Sequence, residues 1–252
     1  MWPVRAVLRQ AALTLACALG LALAVAPALV LASAAGAATL KPGAGRFHIP
    51  ARARELVVVS RSSYDPPDYL ATLRAYTRPS ASAPWRLRFG PWAAETGWGG
   101  LRNHRREGDG STPTGVHGLE LTMYGNRPDP GGLHYAYHHL VCGDWWDEDP
   151  YSSQYNRFVH VSCGTTPSFA PGSEALWTEK QAYRYFAVLR FNVDPIRGGA
   201  DAPGSGIFLH SWVGGPTAGC VALPEARLLE VLRWLRPGLH PVVAIGTHRQ
   251  VF

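Results

Sequence analysis

The chain has 252 residues, with 24 Lys plus Arg against 18 Asp plus Glu and a formal net charge of +6. A hydrophobic content of 46% excludes wholesale disorder. Its 27 Gly and 21 Pro argue against a helix bundle or coiled coil, because helix interiors tolerate neither residue well. The basic residues are nearly all Arg (the Lys are Lys41 and Lys180) and form no run, which argues against nucleic-acid binding.

In chain order, Arg5 and Arg9 precede an uncharged stretch of Ala, Leu and Val from Ala11 to Ala38. Small-residue sites follow at Ala32-Ser33-Ala34 and Gly36-Ala37-Ala38. This is the layout of a secretory signal peptide over 1–38, and its length also suits a retained membrane anchor. Either way the folded part is expected outside the cytoplasm, where a mild basic surface suits an anionic cell wall. Residues 39–54, with Pro42, Gly43, Gly45 and Pro50, read as a linker, and 55–252 as one domain.

Cys17 falls in the leader, which leaves Cys142, Cys163 and Cys220. Three cysteines in an exported protein imply one unpaired thiol, and oxidising surroundings favour a disulfide between the other two. Cys142 and Cys163 enclose a stretch of turn formers (Asp147, Asp149, Pro150, Ser152, Ser153), so they are the expected pair and Cys220 the free thiol.

Glu55–Arg61, Tyr69–Arg78 and Trp85–Phe89 are rich in β-branched or alternating residues and read as strands. Residues 97–118 read as a Gly-rich loop. Tyr183–Val193 is the strongest strand candidate, and Ile207–His210, Val221–Leu223 and Pro241–Ile245 are short apolar strands. One helix is expected, with Pro224 at its first position, an apolar face of Leu228, Leu229, Leu232 and Leu235, and a stop at Pro237-Gly238. The predicted class is mainly β with one late amphipathic helix.

His210 ends one short strand and Cys220 opens the next, with a loop over 211–219 between them. Paired as an antiparallel hairpin, the two residues would face each other at about 4.5–5.5 Å between Cα atoms. An imidazole beside a thiol can take its proton and hold an ion pair, which is what a cysteine nucleophile needs. Gly219, just before the thiol, lets a substrate carbonyl approach backbone N–H donors.

These residues resemble a known pattern. His210-Ser211, the loop, and Thr217-Ala218-Gly219-Cys220 resemble the active-site signature of the YkuD-type L,D-transpeptidases. Arg106-Glu-Gly-Asp-Gly-Ser-Thr-Pro-Thr-Gly115 resembles a second segment of that family, with Gly97-x-x-Gly100 ahead of it. Trp145-Trp-Asp-Glu-Asp-Pro150, followed by Tyr155-Asn156, is similar to a stretch of secreted actinobacterial members. The resemblance implies an L,D-transpeptidase-like β-sandwich of mixed sheets that acts on peptidoglycan stem peptides as a monomer, without metal or cofactor. It implies Cys220 as nucleophile, His210 as general base, Ser211 as the residue orienting it, and Gly219 and Cys220 as backbone oxyanion donors. Thr217, Trp212 and Gly215 are the expected substrate-lining residues.

The chain departs from the family at Ala218, where His is usual, at Ala222, where Asn or Arg is usual, and in a shorter His-to-Cys spacing. An L,D-carboxypeptidase using the same site, or a wall-binding module with a dead one, are therefore the alternatives. Three further readings concern other residues. His134 and His138 would suit zinc on a helix, but no HExxH motif accompanies them and no metal is expected. Trp145-Trp146 suits core or turn packing better than sugar stacking. Arg102, Arg105 and Arg106 are candidates to meet substrate carboxylates.

Overall fold

A computed structural model describes residues 45–64 and 69–252; the expected leader and Cys17 lie outside them. The chain opens with strands β1 (Glu55–Arg61), β2 (Leu70–Thr77) and β3 (Arg86–Glu95). The Gly-rich stretch holds β4 (Leu101–Arg102), β5 (Thr112–Pro113) and β6 (Gly115–His117). Then come β7 (Leu119–Gly125), β8 (Ala136–His139), β9 (Asp144–Asp147), β10 (Arg157–His160) and β11 (Glu174–Ala175). The last part runs β12 (Phe186–Leu189), β13 (Phe208–Ser211), β14 (Val221–Leu223), helix α1 (Glu225–Trp234), β15 (Val242–Thr247) and the short α2 (His248–Val251).

The fold is mainly β. Ten strands form one mixed sheet in the order β6-β15-β1-β2-β3-β14-β13-β12-β7-β8. A three-stranded sheet, β10-β9-β11, and the β4–β5 pair stand apart from it. β1 lies inside the large sheet and is buried along its whole length. Val57 and Val59 join one core and Leu56 and Val58 another, as expected of an apolar run covered on both faces. Ile49 and Ala53, just before it, pack with the second core.

Helix α1 lies on the first face. Pro224 caps it rather than occupying its first turn. Leu228, Val231, Leu232 and, just beyond its end, Leu235 are buried with Leu209, Val221 and Leu223 of the sheet. Each such buried Leu contributes on the order of 1.5–3 kcal/mol. On β13 the next residue along, Phe208, points to the opposite face, into a cluster with Trp146, Leu176, Tyr183, Phe186 and Cys220. The helix packing thus fixes β13 and β14 from one side, while the nucleophile candidate stands on the other.

Three sequence expectations are corrected. The 97–118 stretch contains β4 to β6 rather than loop alone. Tyr183–Val193 forms a strand only over Phe186–Leu189. Ala182–Arg184 is a 3-10 turn, and Asn192 takes a left-handed φ of 52°, so the chain leaves the sheet at both ends. Most important for the site, β13 and β14 are parallel, with Leu209 beside Val221 and His210 beside Ala222. The hairpin fails because the main chain after β3 captures the loop. Thr217 N–H donates to the Thr96 carbonyl at 3.1 Å, and Trp98 N–H donates to the Thr217 carbonyl at 2.9 Å. Gly215 N–H donates to the buried Glu95 carboxylate at 3.1 Å. Held there, the loop carries the chain back to the start of β13 before β14 begins.

Candidate active site

The parallel register decides how thiol and imidazole meet. Paired positions on parallel strands project to the same face. Cys220 precedes Ala222 by two residues, so it shares a face with His210 and stands beside Phe208. The two Cα atoms are then offset by about 4.8 Å across and about 6.6 Å along the strands, or roughly 8 Å apart. Ala222, the residue directly beside His210, is only 1% exposed, and its small methyl leaves the imidazole room.

Each group is fixed by backbone. The Cys220 thiol donates to the Gly206 carbonyl at 3.2 Å and accepts from the Phe208 N–H at 3.3 Å. His210 Nδ1 lies 2.8 Å from the Ser211 carbonyl oxygen. A carbonyl only accepts, so Nδ1 carries the proton and Nε2 keeps its lone pair. Ser211 therefore orients the histidine through its main chain, while its buried hydroxyl has no hydrogen-bond partner among the described residues. The Tyr183 ring meets the imidazole edge to face at 5.8 Å and limits its rotation.

The turn before the thiol is built by Thr217. Its hydroxyl donates to the Cys220 carbonyl at 2.7 Å and accepts the Gly219 N–H at 3.1 Å. The Gly219 N–H is thus engaged within the turn, although the sequence reading assigned it to an oxyanion. Gly219 itself has φ +138°, and a Cβ there would stand 2.8 Å from the Ser111 carbonyl oxygen. Only glycine fits. Of the expected substrate-lining residues, Thr217 is buried scaffold, and Gly215 bonds Glu95. Trp212, 44% exposed, lines an open cavity of about 440 Å³ with Ser211, Val213, Arg184 and Glu225. Ala218, two residues before Cys220, is exposed.

Burial sets the protonation states. It pushes the His210 imidazole down to about 4. It pushes the Cys220 thiol well up, and the Glu174 charge adds to this. Both shifts favour the neutral forms over the ion pair that the sequence suggested. Glu174 is held by the Tyr183 hydroxyl, and burial raises its carboxyl to about 7. Burial likewise raises the Glu148 carboxyl, with the Glu174 and Glu107 charges adding and Arg105 opposing. Glu148 also abuts Gly206, the residue that holds the thiol.

A family model for the L,D-transpeptidase catalytic domain, YkuD, matches residues 72–243. The chain belongs to the YkuD family. The match spans β2 to β15 and so includes both strands of the site and the loop between them. Among curated proteins none matches the chain. Membership of this family associates the protein with the cell wall and with peptidoglycan as substrate. A Cys142–Cys163 disulfide is present, and Cys220 is the free thiol among the described residues. No described helix is long and apolar enough to cross a membrane.

The remaining sequence candidates are dispersed. His134 and His138 lie in or beside extended β8 and do not form a helical pair. His138 and His160 instead flank the buried Asp144 at 2.8 and 2.7 Å. Trp146 is core, packing edge to face on Phe208 at 5.1 Å, and Trp145 packs against Phe169 and Trp177. Sequence reasoning missed Tyr183, Glu148 and Glu174. They come from turns and short strands without periodicity, and only the tertiary fold brings them to the thiol.

Proposed function

We propose that this protein is a peptidoglycan L,D-transpeptidase acting through a Cys220 thioester. The observation that carries the reading is the oriented pair: a thiol fixed by Gly206 and Phe208, and a same-face imidazole whose Nε2 lone pair is left free by the Ser211 carbonyl. Because the neutral forms are favoured, proton transfer accompanies attack. The thiol proton passes to His210 Nε2 as Sγ adds to the carbonyl of the stem's L,D bond. The developing oxyanion is met by the Cys220 N–H and neighbouring backbone. Collapse breaks the C–N bond, and His210 returns the proton to the leaving amine. The acceptor amine then attacks the thioester, giving its proton to His210, and the thiol leaves with that proton.

The exported location follows the same reading, with residues 1–38 as signal peptide or anchor. It agrees with the Cys142–Cys163 disulfide, a bond that oxidising compartments favour. The test is incubation with a disaccharide-tetrapeptide and product analysis by mass spectrometry. Cross-linked dimer that disappears in C220A supports the transpeptidase. Free tripeptide with D-Ala alone would make it an L,D-carboxypeptidase, and no product from folded protein would make it a binding module.

A further inference from the structure

Tyr183 touches both halves of the thiol–imidazole pair. Its ring meets the His210 imidazole edge to face, with 5.8 Å between centroids. It meets the Phe208 ring in the same manner at 5.5 Å, and the Phe208 N–H is the donor to the Cys220 thiol. Among the described residues the imidazole has one hydrogen bond, from Nδ1 to the Ser211 carbonyl. A single bond at Nδ1 sets the tautomer but lets the ring tilt about the Nδ1···O direction. A second contact has to decide where Nε2 points, and the Tyr183 ring is that contact.

Tyr183 must itself be held. Its main chain is tied down: its N–H donates to the Glu179 carbonyl at 3.0 Å, and its carbonyl accepts the Asn126 N–H at 2.7 Å. The side chain still has two torsions to fix. Phe186 confines the ring at 4.9 Å. The tip is fixed by Glu174, whose Oε2 accepts from the Tyr183 hydroxyl. Glu174 belongs to β11 and stands in register with Trp146 of β9, so it reaches the tyrosine from the small sheet. His210 and Cys220 belong to the large one. A buried tyrosine hydroxyl needs an acceptor, and a backbone carbonyl would serve. A carboxylate is the costlier choice beside a thiol that its charge keeps protonated. What it adds is a stronger, charge-assisted grip on the hydroxyl.

We infer that Glu174 is a positioning residue for the Cys220–His210 pair, acting through Tyr183. The carboxylate grips the hydroxyl, and the ring so fixed holds the imidazole tilt on one side and Phe208 on the other. Glu174 touches no reacting atom in this role. The inference deepens the acyl-transfer reading of the site and rests on it.

The experiment uses the full chain and two readouts: the rate of Cys220 acylation by a carbapenem, followed by intact mass, and the tautomer of the His210 ring, followed by nitrogen NMR. Y183F keeps the ring and loses the bond. E174A loses both acceptor and charge, whereas E174Q keeps an oxygen for the hydroxyl and loses the charge alone. Acylation should slow at least about fivefold in Y183F and in E174A. The double variant should be no slower than Y183F, because both changes break one bond. E174Q should acylate at least as fast as wild type. The His210 ring should show the Nδ1–H form alone in wild type and E174Q and gain the Nε2–H form in Y183F and E174A. A merely structural loss would lower stability without this pattern. Wild-type rates in Y183F and E174A, a double variant slowed by the product of the single losses, or equal losses in E174Q and E174A overturn the inference. Should E174A fail to fold, Y183F against E174Q decides. If wild type takes no adduct, the proposed reaction fails, while the tautomer comparison still judges the positioning.

Discussion

Glu55 opens β1 with its side chain in the core, and its residue is 2% exposed. Its Oε2 accepts the Arg236 N–H at 2.8 Å. Burial raises its carboxyl from 4.5 to about 7, against the opposing backbone bond and the Arg236 charge. The native state thus holds a proton that the unfolded chain has released between these values. Stability falls as pH rises through that window, and the penalty is complete above pH about 7. At 1.36 kcal/mol per pKa unit, the shift from 4.5 to about 7 corresponds to about 3 kcal/mol. Glu55→Gln keeps an oxygen for Arg236 and removes the charge. The difference in urea unfolding free energy between E55Q and wild type should be near zero at pH about 4.5 and grow to about 3 kcal/mol in favour of E55Q by pH about 8. A difference that stays flat across that range, or one that favours wild type at high pH, would refute the reasoning.

Three other outcomes follow from the geometry. G219A should lose about 1–3 kcal/mol of stability by chemical denaturation, because the left-handed backbone and the Ser111 carbonyl leave no room for a methyl; wild-type stability would contradict the turn. Reducing the Cys142–Cys163 bridge, which spans a sequence separation of 21, should cost about 3 kcal/mol, read from unfolding with and without reductant. Alkylation of Cys220 by iodoacetamide without substrate should be slow at neutral pH and still rising in alkali, since burial holds the thiol protonated. An inflection near neutral pH would mean that a resting ion pair exists.

What could be read from the sequence was what depends on local pattern. The Val-rich run of β1, the alternation of β2 and the leucine face of α1 carry their own periodicity, and they stand close to where it puts them. The disulfide followed from counting. His210 and Cys220 could be singled out because a short loop joins them. Their relation could not, because the direction of β14 against β13 is set by Glu95 and Thr96, residues far upstream that hold the loop. The Tyr183 strand was misread for a similar reason. Tyr183 is bonded to Glu174 and meets His210 edge to face, in a 3-10 turn where its alternation suggests extension. Arg105 was a candidate to meet a substrate carboxylate from a Gly-rich loop, and only the fold shows it buried.

The most direct measurement is the intact mass of the folded, reduced protein after exposure to a carbapenem and to a disaccharide-tetrapeptide, with the adduct mapped by peptide digestion. The account predicts a covalent acyl adduct on Cys220, lost in C220A and slowed by about 100-fold or more in H210Q. No adduct on accessible, reduced Cys220, or an adduct formed equally fast without His210, would contradict it.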